Sequence, residues 1–101
     1  MLDYAALCAL AAVVREGSFE RAAQALFVTP SAVSQRIRSL EERVGCALVV
    51  RGQPCHATDT GRRLCQHVDR VRLLEQELQS ALPVLAPEGL SRVALPIAIF
   101  A

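Results

Sequence analysis

Apolar positions recur at helical spacing in four stretches of this chain, with a short strand-like run between the third and the fourth. In the first, from Asp3 to about Glu16, Leu7, Leu10, Ala11 and Val14 mark one buried face. Asp3 suits the N-cap and Gly17 the stop. In the second, "SFERAAQALFV", Ser18 suits the cap of a helix that begins at Phe19. Glu20 in its first turn favours the helix dipole, and Ala22, Ala23 and Leu26 form its inward face. A short gap, Phe27 to Thr29, leads into the third. There Thr29 is the predicted cap and Pro30 the first helical residue, where a missing N–H costs nothing. Val33, Ile37, Leu40 and Val44 recur at i, i+4, i+7 and i+11 as one apolar stripe, and Gly45 ends the helix.

The strand-like run is Leu48-Val49-Val50. Arg51-Gly52-Gln53-Pro54 carries turn signals, and His56-Ala57-Thr58 is the return strand. The fourth helix runs from Thr58 or Asp59 to about Leu82, about 34 Å at ~1.5 Å per residue. Leu64, Val68, Val71, Leu74, Leu78 and Leu82 make a nearly continuous stripe along it. The small core of one chain covers only part of so long a stripe, so these six residues are the predicted dimerisation surface, by analogy with coiled-coil seams. The alternative is a helix packed wholly within its own chain. Beyond it, Pro83 and Pro87 stop the helix and Glu88-Gly89 reads as a linker. "SRVALPIAIFA" then has the character of a buried parallel strand with no partner in the sequence, which predicts the amino-terminal piece of a longer protein. Two short helices with a three-residue break, then a glycine and a hairpin, define the expected fold class. It is mainly α: a winged helix-turn-helix with a two-stranded wing, followed by a long linker (dimerisation) helix.

Composition changes this picture little. With 101 residues, 52% hydrophobic, the chain suits one small domain with an appendage, and its composition argues against disorder throughout. The net charge of +1 by itself predicts neither DNA affinity nor its absence. Its distribution says more: Arg36, Arg38, Arg43 and Arg51 lie close together, and every basic residue is arginine, whose planar fork suits phosphates and guanine edges. Cys8, Cys46, Cys55 and Cys65 form no CxxC pair and match no common zinc spacing, so no metal and no cofactor is expected even with His56 and His67 nearby. They read as free thiols of a reduced, cytoplasmic protein. The apolar run Tyr4 to Val14 is too short to span a bilayer and lacks a basic leader, so no membrane association is expected. No nucleophile–base pair, phosphate-binding glycine loop or paired acidic site occurs in a recognisable setting, which argues against an enzyme.

The candidate chemistry lies in "TPSAVSQRIRSLE". Ser31, Ser34, Gln35 and Arg38 fall away from the apolar stripe and share a second face of the third helix. A recognition helix needs small or amide side chains near its start, where base edges approach most closely, and arginines near its flanks to hold phosphates. This segment supplies both, with Arg36 as a further phosphate or base-edge candidate and Arg51 at the wing tip. Arg62, Arg63 and His67 on the fourth helix read as solvent-facing.

"GSFERAAQALFVTPSAVSQRIRSLEERVGCALVVR" closely resembles the DNA-binding segment of the LysR-type transcriptional regulators. The resemblance rests on Ala22-Ala23, Leu26, "TPSAVSQRI", Leu40-Glu41 with Gly45, Leu48, Arg51, and Thr58 before Gly61, and it extends from residue 2 to about 82. "SAVSQRI" with "RGQPCHAT" is most similar to the branch that regulates lysine and arginine export, the ArgP/LysG-like branch. The tail "VALPIAIFA" resembles the first strand of that family's effector domain. The resemblance implies a division into 1–58, the winged helix-turn-helix; 59–82, the linker helix; and 83–101, a hinge and the first strand of an effector-binding domain. It implies a sequence-specific regulator that docks on double-stranded DNA as a homodimer, or as a tetramer at full length. A small co-inducer, a basic amino acid in this branch, is implied only where the effector domain is present. Carried onto this chain, the DNA-binding set is Thr29, Pro30, Ser31, Ser34, Gln35, Arg36, Arg38 and Arg51, with Arg51 entering the minor groove. One departure is Pro30, where this family often has Gln, since proline gives none of the amide's hydrogen bonds. The rival reading is a helical dimerisation or protein-interaction module that does not bind DNA.

Overall fold

The computed structural model of the chain describes residues 3–82. The element order is α1 (Tyr4–Glu16), α2 (Phe19–Leu26), α3 (Pro30–Val44), β1 (Val49–Val50), β2 (His56–Ala57) and α4 (Asp59–Ala81). The caps fall where the side-chain chemistry put them. Asp3 accepts the Ala5 N–H at 3.0 Å, Ser18 accepts that of Arg21 at 3.2 Å, and Thr29 accepts that of Ala32 at 3.1 Å. Pro30 occupies the first turn of α3, and Gly45 closes that helix by donating to the Glu41 carbonyl at 2.7 Å. One turn was not legible: α2 ends on Phe27, which takes the left-handed conformation at φ 58 and is 94% exposed. Its N–H caps the Ala23 and Gln24 carbonyls, so α2 is closed by a phenylalanine in a conformation that disfavours a Cβ.

The described residues divide after Val68 into two units, 3–68 and 69–82. The division falls inside α4. The core of the first unit is a three-helix cluster. Leu7, Leu10 and Val13 of α1, Ala22 and Ala23 of α2, and Val33, Ile37 and Leu40 of α3 are buried together. The alanines let the backbones of α1 and α2 come close. β1 and β2 pair antiparallel with Val49 opposite Ala57 and Val50 opposite His56. Strand alternation sends Val49 and Ala57 inward, while Val50 and His56 stay exposed. Leu48, just before β1, is fully buried and joins the sheet to the helical core.

The six residues of the α4 stripe differ in burial. Val68 is fully buried and Leu64 packs against the core, so both serve the domain's own interior. Within the second unit Leu74, Leu78 and Leu82 are exposed, as is Leu73, while Val71 is half-buried. The expected hinge and strand of residues 83–101 lie outside the described residues. Among the described residues, no helix is long and apolar enough to cross a membrane.

The start of α4 is locked to the wing through Thr58 and Gly61. The Thr58 hydroxyl donates to the Ala47 carbonyl at 2.8 Å and accepts the Gly61 N–H at 3.1 Å. A Cβ on Gly61 would stand 2.1 Å from the Leu48 carbonyl oxygen, a backbone atom with no freedom to retreat. Gly61→Ala is therefore expected to destabilise the fold by about 1–3 kcal/mol, the usual range for overpacking, read as a lower urea midpoint at unchanged slope.

Candidate nucleic-acid interface

Burial of the Val33–Ile37–Leu40 stripe turns the opposite face of α3 outward. On it, Pro30, Ser31, Gln35 and Arg38 are exposed and Ser34 is half-buried. Six of the eight expected site residues line a single cleft of about 510 Å³: Pro30, Ser31, Ser34, Gln35 and Arg38 from α3, and Arg51 from the wing. Gly52, Gln53 and Cys55 complete the wing side, and Ser18, Phe19 and Glu20 at the start of α2 also line the cleft. The two arginines make no ion pair among the described residues, so their charge stays available to an anion. Arg38 in particular does not pair with Glu41 or Glu42.

Thr29 and Arg36 lie elsewhere. Thr29 is the cap of α3, with its hydroxyl oxygen accepting the Ala32 N–H. That frees Ser31 from capping, the other job its position allowed. The Val33 N–H goes to the Thr29 carbonyl and Pro30 has none, so the Ser31 N–H is the first-turn donor of α3 left without a protein partner among the described residues. Arg36 borders a second cleft on the α1 side of α3, with Asp3, Gln35, Ser39 and Arg43. α3 is thus flanked by a concave surface on each side, each carrying arginine, and Gln35 borders both.

Sequence reasoning missed Phe19, Glu20 and Gln53. Glu20 is the acid in the arginine-lined cleft, its carboxylate accepting the Ser18 hydroxyl at 3.1 Å. Phe19 carries the Arg51 guanidinium over its ring, with 4.3 Å from the guanidinium carbon to the centroid. An aromatic beside a helix cap is a weak signal, and nothing local in the sequence links Phe19 to a wing more than thirty residues later. All four cysteines are free thiols, Cys46 exposed and Cys55 buried. Among the described residues no three His, Cys, Asp or Glu side chains are grouped to hold a metal ion.

Residues 4–62 match the family described as bacterial regulatory helix-turn-helix protein, lysR family, a span of more than half the chain. The chain belongs to the lysR family. It is 59% identical over 99 residues to the HTH-type transcriptional regulator ArgP of Pseudomonas aeruginosa (strain UCBPP-PA14), covering 94% of this chain and 33% of that relative. The chain thus spans about a third of the length of the curated relatives it matches. Its fold matches full-length LysG from Corynebacterium glutamicum with bound effector Arg, at a TM-score of 0.75 and 43% identity, covering 78% of this chain and 27% of that one. It also matches the BenM DNA-binding domain in complex with catB site 1 DNA, at a TM-score of 0.72 and 28% identity, covering 83% of this chain and 96% of that one. In this lysR-family domain the wing is held to α3 by Glu41, whose carboxylate accepts the Leu48 N–H at 2.9 Å. Glu41→Ala is expected to cost about 1–3 kcal/mol, since it leaves a part-buried donor unpaired, and to raise the amide-exchange rate of Leu48 and Val49.

Proposed function

We propose that this chain is the DNA-binding part of a sequence-specific transcriptional regulator of the lysR family. α3 docks in the major groove with Arg51 at the adjacent minor groove. The observation that carries this reading is the cleft that joins the small polar face of α3 to the wing arginine. Pro30, Ser31 and Ser34 have short side chains, so the amino-terminal half of α3 approaches base edges closely. Gln35 has the donor–acceptor pair that matches adenine N6 and N7. Arg38 and Arg51 on one side of the helix, and Arg36 and Arg43 on the other, suit the two phosphate strands that bound the groove. The Ser31 N–H at the helix start adds a phosphate donor. The BenM domain, of similar fold, was solved on DNA, which supports the same use of this surface.

The regulator works as a homodimer, paired through Leu74, Leu78 and Leu82 with Val71 of α4, and as a tetramer at full length. A dimer places two recognition helices about one helical turn of DNA apart, ~34 Å. It is a cytoplasmic, nucleoid-associated protein and not an enzyme. A basic amino acid as co-inducer belongs to the part of its relatives that this chain does not cover, in keeping with LysG having been solved with arginine as effector.

Three measurements test the reading. Anisotropy titration of a duplex selected from a random pool is expected to give binding that weakens steeply between low and moderate salt, with each neutralised phosphate adding ~0.9 to the slope. A salt-insensitive or absent interaction would favour the protein-interaction module. Arg51→Ala is expected to lose about 1–3 kcal/mol of affinity for the selected site. Leu74→Glu with Leu78→Glu is expected to convert a micromolar dimer to monomer in sedimentation, with the first unit still folded. Unchanged sedimentation would place the dimer contact elsewhere.

A further inference from the structure

The corner between α1 and α2 carries the wing. The Gly17 carbonyl accepts the Cys55 N–H at 2.9 Å, so the return arm of the hairpin hangs from that corner. Gly17 itself sits at φ +74, and a Cβ there would stand 2.9 Å from Pro54 Cβ, so the corner and the wing loop are in direct contact. Two residues on, Phe19 opens α2 directly after the Ser18 cap. Its ring packs partly against the buried core, and the outer part lies beneath Arg51. The ring is therefore anchored from below and stacked from above. Arg51, by contrast, is exposed and has no ion pair among the described residues. A long flexible arginine on a short turn has many rotamers, and the stack on the ring favours one of them.

We propose that Phe19 is a positioning residue for Arg51: its ring is the platform that holds the guanidinium at the cleft mouth, so the α1–α2 corner, rather than the hairpin turn, sets where the wing arginine meets nucleic acid. This deepens the DNA-binding reading and rests on it. Phe19 touches the nucleic acid only through Arg51. Its contribution is preorganisation, because a guanidinium already stacked in place loses less rotational freedom on binding. The preference it supports is for A·T-rich duplex, whose narrow minor groove attracts an inserted arginine.

The test uses the 101-residue chain in four forms: wild type, Phe19→Leu, Arg51→Ala and the double variant. Phe19→Met serves as a second ring-free variant if the leucine form is unstable, and thermal unfolding establishes that each form is folded. In the free protein, the side-chain protons of Arg51 are expected upfield in wild type, from the ring current of Phe19, and at ordinary positions in Phe19→Leu. With fluorescein-labelled A·T-rich and G·C-rich duplexes, Phe19→Leu is expected to lose about two- to fivefold in affinity for the A·T-rich duplex, the size of an exposed cation–π contact. In the Arg51→Ala background the same change is expected to lose nothing. Equal losses in both backgrounds, or Arg51 protons unmoved by Phe19→Leu, would overturn the positioning role and leave DNA binding standing. Failure of wild type to bind either duplex would instead overturn the functional reading, and the role of the stack with it.

Discussion

Everything at the interface depends on which way α3 is rotated about its own axis. Val33, Ile37 and Leu40 are at most 1% exposed and lie against α1 and α2. Each such side chain contributes about 1.5–3 kcal/mol relative to an exposed one. Rotating α3 enough to hide Ser31, Gln35 and Arg38 would bring those three apolar side chains into water. The loss is comparable to the whole stability of a small domain. The polar face is outward because the apolar face has one place to go.

The wing is fastened to this helix bundle from three directions. Glu41 of α3 accepts the Leu48 N–H before β1, Thr58 at the start of α4 ties back to Ala47, and the α1–α2 corner holds Cys55 and stacks Arg51. A two-stranded hairpin on its own is marginal in water. Here its four strand residues need supply little, because each end is anchored to a helix. These contacts join the hairpin to α3, to α4 and to the α1–α2 corner.

Local chemistry made most of the fold legible. Asp3, Ser18 and Thr29 act as caps, Pro30 opens α3, and the i, i+4, i+7 stripe is the buried one. The two strands lie where the short apolar run Leu48-Val49-Val50 and the turn residues after it put them. Periodicity was less informative on α4. A repeat of leucine and valine marks an apolar face but not what covers it, and Leu64 and Val68 belong to the domain core while Leu74, Leu78 and Leu82 do not. The candidate site was legible where it follows from one helix, as with Ser31, Ser34, Gln35 and Arg38. It was not legible where it depends on long-range contact, as with Phe19 under Arg51 or Glu20 in the cleft. The left-handed Phe27 had no signal at all, since glycine or asparagine is the usual residue in that conformation.

The central claim is that the outward face of α3 and the wing arginine form one surface for duplex DNA. Amide and side-chain resonances followed while duplex is added to the labelled chain test it most directly. Shifts concentrated at residues 30–38 and 51–53, with Val33 and Ile37 among the least affected side chains, are the predicted result. Shifts confined to α4 beyond Val68, with residues 30–38 unmoved at saturation, would contradict it.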